Sequence, residues 1–414
     1  MKILHISTSD NGGAGIACIR LHKALLSKSI DSKVLILDGE HNPNLNIYSY
    51  SQNFNTKIQK AFFLFKRHFL PLLHQYKIRK FNFTESFSFL YTFFKIHNLP
   101  LIIDSDIIHL HYIADFIDYK SFFNNVKKPF VWTLHDMNPF SGGLHSPSLT
   151  KLNSKLEKKL KKLDKSLENR KKKILKQVNK MVLISPSNWL YKLSSESSIQ
   201  SIREHHVIPH FVDTNVFMRR DKHKCREILG FDLSKKILLF VTDRFSRKLK
   251  GFEYFKEICR YYKNDNNFLF CSVGKDDNFE KFSNPNYINL GYIDSERLLA
   301  IIYSASDILI QSSLHEAFSL TTLEAMSCGL PVIAFDTTGP REIIEHKING
   351  ILSPLGNVTS FTENIDYLLS NEHIYLQISN NAYEHAQSNY NKDKIIEKYI
   401  KLYEQIYNTY KTIN

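Results

Sequence analysis

The chain has 414 residues, is 43% hydrophobic and 13% aromatic, and carries a net charge of +14. That length exceeds one ordinary core and fits two domains, and the apolar and aromatic content excludes a disordered chain. Five scattered cysteines without a C-x-x-C pair exclude a disulfide framework and a zinc knuckle, and fit a reducing compartment.

The opening MKILHISTSD reads as a first strand whose apolar run is too short for a signal peptide. Gly12, Gly13 and Gly15 follow it, where glycine lets the backbone approach a phosphate or sugar closely. The string GGAGIAC departs from G-x-G-x-x-G at Cys18, and Asp38, ending the second strand, is the residue a dinucleotide reading would use. Residues 53–94 form an aromatic-rich, basic insertion between the second and third strands. Its most apolar run, from Ala61, is broken by Lys66, Arg67, His68 and Pro71, and no uncharged run is long enough to span a bilayer.

In the third strand, DIIHLHY, His109 and His111 are assigned to opposite faces, as packing or cleft lining. His135 and Asp136 end the strand PFVWTLHD ahead of the turn-forming FSGG. A histidine at a strand's carboxyl end can act as acid or base, hold a hydroxyl, or be structural. Residues 151–179 form a long helix with leucines on one stripe, and 151–180 carry a net charge of +10. That helix has three readings: a solvated helix packing its leucines on the N-terminal domain, an anionic membrane contact, or a nucleic-acid surface. The lack of aromatic residues among its lysines argues against nucleic acid. Ser185 and Ser187, in KMVLISPS, have no G-x-S-x-G elbow, which argues against a serine hydrolase.

The C-terminal half repeats the alternation of apolar strands and helical patterns with ILLFVTD, FLFCSVG, YINLGY, ILIQSS and PVIAFD. The predicted class is therefore α/β, with two doubly wound parallel-sheet domains facing across a cleft. The seam falls near His210 to Asp221, giving domains 1–212 and 213–385 and a C-terminal helix, 386–414, that packs back toward the N-terminal domain.

Arg244, Arg247, Lys248 and Lys250 follow ILLFVTD, well placed to neutralise a diphosphate at about 1.5–3 kcal/mol per charge-assisted contact. A basic surface turn is the plain alternative. The stretch HEAFSLTTLEAMSCGLPVIAFDTTG, from His315 to Gly339, sets Glu316 and Glu324 beside a helix start. Phe318, Ser319 and Leu320 would present free N–H groups to a phosphate, and the carboxylates suit sugar hydroxyls. Glu316 also reads as a solvated loop carboxylate, and Thr321-x-x-Glu324 also matches a capping box. No H-E-x-x-H or carboxylate cluster suggests a metal.

Taken together, these residues resemble the retaining glycosyltransferases of family 4, or group 1, which adopt the two-domain GT-B fold. The resemblance is carried by Glu316-x7-Glu324 within HEAFSLTTLEAMSCGLPVIAFDTTG and the following GPREIIEHKINGIL. The runs ILHISTSDNGGAGIA, DIIHLHYIADF and TLHDMNPFSGG are similar to a subset acting in cell-surface polysaccharide assembly, such as capsule or lipopolysaccharide.

The resemblance implies that Glu316 contacts donor-sugar hydroxyls and Glu324 the nucleotide ribose. The backbone N–H groups of Phe318, Ser319 and Leu320, with Arg244 and Lys250, would bind the diphosphate. Gly12 and Gly13 would form the loop below the donor, and His135 would stand near the reacting sugar. Four features depart from the family pattern. Ser319 stands in place of a glycine, His210-Phe211 in place of Asn-Gly, and Thr242-Asp243 before Arg244; a lysine-rich helix follows TLHD where cysteines are common.

The implied enzyme is a metal-independent, cofactor-free hexosyltransferase. It would take a nucleotide sugar as donor and a glycan or lipid-linked glycan as acceptor. It would be cytoplasmic, peripheral on the inner membrane face through 151–180, and would bind no nucleic acid. The alternatives are a GT-B sugar-nucleotide epimerase and a non-catalytic sugar-nucleotide-binding membrane scaffold.

Overall fold

A computed structural model describes residues 1–54, 56–81, 83, 85–147, 154–199, 203–276, 282 and 284–412. The chain forms two compact units: Met1–Ile208 with Ile396–Asn414, and Pro209–Ile395.

The first unit is built on seven parallel strands in the order β3-β2-β1-β4-β5-β6-β7. They are β1 (Lys2–Ser9), β2 (Asp31–Asp38), β3 (Ile47–Ser49), β4 (Ile107–Leu110), β5 (Phe130–Thr133), β6 (Met181–Ser185) and β7 (Glu204–Val207). Helices α1 (Gly12–Ser27), α2 (Lys57–Arg79), α3 (Pro100–Asp104), α4 (Tyr119–Asn125), α5 (Ser154–Leu175) and α6 (Asn188–Ser195) accompany them. The central strands IIHL, FVWT and MVLIS are buried at every position, which is why their sequences run apolar without alternating. The short edge strands β3 and β7 have no such run, so five strands are legible in the sequence, whereas the described residues form seven. Because β3 intervenes, the insertion 53–94 lies between the third and fourth strands rather than the second and third.

The second unit has six parallel strands in the order β10-β9-β8-β11-β12-β13. These are β8 (Lys236–Arg244), β9 (Phe268–Lys275), β10 (Tyr287–Asn289), β11 (Ile308–Gln311), β12 (Val332–Phe335) and β13 (Ile351–Ser353). Its helices are α7 (Lys222–Leu229), α8 (Phe252–Tyr261), α9 (Glu296–Ala305), α10 (Leu320–Ser327), α11 (Thr338–Ile343), α12 (Val358–Ser370) and α13 (Glu372–Asn389). Alternate residues of β8 feed two separate cores, Ile237 and Leu239 on one face, Leu238 and Phe240 on the other. The last helix, α14 (Lys392–Lys411), starts in this unit and from Ile396 belongs to the first. There its Tyr403 hydroxyl meets His109 Nδ1 at 2.6 Å.

In each sheet the strand order reverses once, between β1 and β4 and between β8 and β11. Doubly wound sheets bind ligands outside the carboxyl ends of the strands at that reversal.

Positions 151–153 of the expected lysine-rich helix lie outside the described residues, and α5 ends at Leu175 rather than 179. Its leucine stripe packs inward, with Leu160 and Leu167 joining Ile78, Phe81 and Phe89 in one cluster. Lys171 sits on that inner side and is fully buried.

Candidate active site

At the reversal of the second sheet, the chain leaving β8 and the chain leaving β11 are tied together. Leu314 N–H donates to Leu249 O at 2.8 Å and Ser312 Oγ to Gly251 O at 2.8 Å. Gly251 has φ +72°, and a Cβ there would run into the Ser312 carbonyl, so this contact requires glycine. The result is an ion pair that sequence spacing alone does not predict, Lys250 Nζ to Glu316 Oε1 at 2.8 Å. Ser313 Oγ lies 3.0 Å from the same carboxylate oxygen.

The backbone of Glu316 is fixed as well. Its N–H donates to Thr338 Oγ1 at 3.1 Å, and its carbonyl accepts from Thr338 Oγ1 at 2.8 Å and from Gly339 N–H at 3.1 Å. Glu316 is therefore a held, partly buried carboxylate, not a solvated loop residue.

The segment then turns into α10 through Ser319, whose φ of +90° lies in the left-handed region. Glycine enters that region freely, while a residue with a Cβ is strained there. The Ser319 hydroxyl is turned inward, 2.6 Å from Gln311 Nε2, which donates to it, and 2.8 Å from Thr322 Oγ1. Gln311 Nε2 also donates to Thr321 Oγ1 at 2.8 Å. The N–H groups of Phe318, Ser319 and Leu320 precede the first intrahelical bond, from Leu323 N–H to Ser319 O.

The capping-box alternative for Glu324 fails. The N-cap of α10 is Ser319, Thr321 lies inside the helix, and Glu324 Oε2 instead accepts from the Tyr303 hydroxyl at 3.0 Å. A capping glutamate must be three residues after the cap, and Glu324 is five. It is buried within the helix packing.

Arg244 ends β8 on the exposed side and pairs in register with Lys275 at the end of β9. Lys275 is a further cation at this edge, with Nζ 4.7 Å from the Tyr292 ring centroid. Lys275, Ser313, Gln311, Tyr303 and Thr338 are not among the residues expected from sequence; for Lys275 the signal is a lysine directly after FLFCSVG. Arg247 is held by Asp243 at 3.1 Å.

The first unit carries the other predicted residues. Gly12, φ +68°, opens α1, and a Cβ on Gly13 would meet nothing within 4 Å, so this backbone is open to close approach. Asp38 is paired with Arg67 at 2.5 Å, which removes it from the ribose role of a dinucleotide site.

His135 Nε2 lies 3.0 Å from His111 Nδ1, and His111 Nε2 lies 3.1 Å from His5 Nδ1. His109 and His111 do not occupy opposite faces: their rings stack at 4.3 Å, because residues two apart on a strand share a face. Burial holds the imidazole of His5 well below its usual range, and pushes that of His109 down to about 3.

Among the described residues, His5, His109 and His111 bring ring nitrogens within 4.8 Å of one another, a grouping able to hold a metal ion. His109 already spends both nitrogens on Tyr403 and Thr133, and His111 spends both on His5 and His135. Of these three rings, His5 alone has a nitrogen, Nε2, without a hydrogen-bond partner. The arrangement is a buried, hydrogen-bonded array of rings in which burial disfavours the charged forms of His5 and His109.

The loop after His135 is clamped from α5. Lys171 Nζ donates to the carbonyls of Asn138 and, at 2.9 Å, Ser141, while Asp164 Oδ1 accepts from Gly143 N–H at 2.6 Å. Burial lowers Lys171 to about 7.

Residues 221–385 match the family described as Glycosyl transferases group 1. N-acetyl-alpha-D-glucosaminyl L-malate synthase of Bacillus anthracis is 25% identical over 205 residues, 48% of this chain and 52% of that protein. An N,N'-diacetylbacillosaminyl-diphospho-undecaprenol alpha-1,3-N-acetylgalactosaminyltransferase of Campylobacter jejuni is 28% identical over 160 residues, 38% of this chain and 42% of that one. The chain thus spans about half or less of the length of these curated relatives. HepE of Anabaena, solved in complex with UDP-glucose, superposes with a TM-score of 0.68 at 16% identity, covering 98% of this chain and 100% of that one. This likeness shows the same two-sheet fold.

Proposed function

We propose that this chain, whose residues 221–385 match the group 1 glycosyltransferases, is a retaining, metal-independent transferase that takes its sugar from a nucleotide diphosphate sugar. The observation that carries the reading is the Lys250–Glu316 pair beside the N-terminus of α10, at the carboxyl edge where β8 and β11 meet. A cation, a fixed carboxylate and unpaired helix N–H groups together match the three parts of a sugar diphosphate.

In this reading the diphosphate draws Lys250 away from Glu316 and rests on Lys250, Arg244 and the N–H groups of Phe318, Ser319 and Leu320. Glu316, released from its cation, accepts from the sugar hydroxyls, and Glu324 holds the ribose. Leaving-group stabilisation comes from charges already in place, so the site does without a metal ion and without an added cofactor. No side chain is assigned as a covalent nucleophile, and the acceptor hydroxyl attacks on the face the diphosphate leaves.

The acceptor is a glycan or a lipid-linked glycan in cell-surface polysaccharide assembly, on the cytoplasmic membrane face. The Campylobacter relative, whose name specifies a diphospho-undecaprenol acceptor, supports this class. The UDP-glucose complex of HepE supports a nucleotide-sugar donor.

A panel of UDP-, GDP- and ADP-sugars, assayed for transfer or slow hydrolysis of labelled sugar, tests the proposal. Turnover of one donor, unchanged by EDTA, is expected. Tight binding without turnover would favour the scaffold alternative, and conversion of the donor to an epimer without acceptor would favour the epimerase.

A further inference from the structure

We propose that the outward face of α2 is a docking helix for an anionic membrane surface. The helix is well defined at its start, where Thr56 and Gln59 form a reciprocal capping box at 3.2 and 3.3 Å. Its inner side buries Phe63, Leu70, His74 and Ile78. A helix seated this way ordinarily turns polar residues to water on its other side.

Here the opposite side is apolar. Ile58, Phe62, Phe65, Phe69, Leu72 and Tyr76 recur at alternating spacings of four and three, which places them on one stripe. All six are exposed, from 42% at Phe69 to 83% at Ile58. Phe65 stacks on Phe69 at 5.3 Å, and Phe93, itself exposed, extends the surface at 6.5 Å from Phe69.

The charge around this stripe identifies its occupant. Residues 41–84 contain no aspartate or glutamate, while seven lysines and arginines lie between Lys57 and Lys80. Arg67 turns inward to Asp38 at 2.5 Å. Lys66 arches over the Phe62 ring at 4.2 Å from its centroid, its ammonium beside the stripe. Lysines whose stems lie along apolar surface can reach a headgroup while the rings enter the acyl boundary. A second copy of this chain would oppose one acid-free cationic rim with another, whereas an anionic lipid surface complements it.

The helix lies on the membrane and does not cross it: no helix among the described residues is long and apolar enough to span. The placement also revises the expectation for 151–180. The leucines of α5 are used inward, so it offers charge without an insertable face, and its outward lysines can only add to the attraction. The proposal places the acceptor function beside a membrane but stands apart from the transfer chemistry, since vesicle binding is read without any sugar donor.

The full chain is sedimented with vesicles of phosphatidylcholine alone and of equal parts phosphatidylcholine and phosphatidylglycerol. Binding to the mixed vesicles only, weakened by salt, is expected. Phe62→Ser/Phe65→Ser/Leu72→Ser should lower the partitioning about tenfold or more, with an unchanged thermal melt and unchanged donor hydrolysis. Lys57→Glu/Lys60→Glu/Lys66→Glu, which leaves the apolar stripe intact, should do the same. Wild-type protein that stays in the supernatant, or a serine variant that sediments like wild type, would overturn the proposal. So would a wild-type dimer in sedimentation velocity that the serine variant dissolves, since a second copy would then be the occupant.

Discussion

Ser319 stands at a backbone position suited to glycine, and what stabilises it there is its hydroxyl, held by Gln311 and Thr322. Ser319→Ala keeps the strained φ and loses both hydrogen bonds, whereas Ser319→Gly loses the bonds but relieves a strain of about 1–2 kcal/mol. Urea unfolding should therefore rank Ser319→Gly above Ser319→Ala by about 1–2 kcal/mol. An inverted order would mean that the left-handed φ at this position carries no strain for glycine to relieve. The two glutamates show what residue types can disclose. Their chemistry is readable from the string itself, but the Thr321-x-x-Glu324 spacing misleads because the helix begins at Leu320 and Glu324 is taken by Tyr303, twenty-one positions away. Lys250 and Glu316 are likewise joined only by the folding of two loops over Gly251.

The element that looked most like a surface, α5, turns out to be half interior. Lys171 is buried and holds the Asn138 and Ser141 carbonyls of the loop that follows His135, while Lys172 and Lys173 are exposed. Lys171→Glu would bury a carboxylate against two carbonyls, and should cost more than about 3 kcal/mol by the rule for uncompensated buried charge. Lys172→Glu and Lys173→Glu should each stay within about 0.5 kcal/mol. Denaturant midpoints of the three variants check this, and a Lys171→Glu protein as stable as the other two would refute the clamp. A run of lysines cannot reveal which one faces inward, since the leucine stripe sets the phase and the neighbouring loop supplies the partners. The converse holds for α2, where aromatic and basic content is plain in the sequence but its exposure depends on which stripe the rest of the unit covers.

Across the whole molecule, the alternation of apolar strands and helices made both parallel sheets legible, and their strand orders reverse once in each sheet, where doubly wound sheets bind ligands. The edge strands β3, β7 and β13 escaped because IYS, EHHV and ILS form no extended apolar run, whereas strands as short as ILIQ of β11 do. The histidine array also needs the whole first unit, for it draws on β1, β4, the chain beyond β5 and α14. Burial lowers His109 from 6.5 to about 3 in the folded chain, so on acidification the unfolded chain takes up a proton that the folded chain refuses. The stability held above pH 6.5 is thus lost progressively as pH falls toward about 3, and His5, displaced in the same direction, adds to the loss. Urea midpoints at about pH 7.5 and about pH 5 should differ by more in wild type than in His109→Gln. Equal pH dependence would show that burial does not hold His109 neutral in the folded chain.

The central claim is that Glu316 acts on the sugar while Lys250 acts on the diphosphate. The most direct measurement follows donor binding and turnover side by side in wild type and Glu316→Gln, using the nucleotide sugar that the panel identifies. Removing the carboxylate frees Lys250, so the account predicts donor binding as tight as wild type or tighter, with turnover lower by about 100-fold or more. A Glu316→Gln enzyme that turns over its donor at the wild-type rate would contradict it.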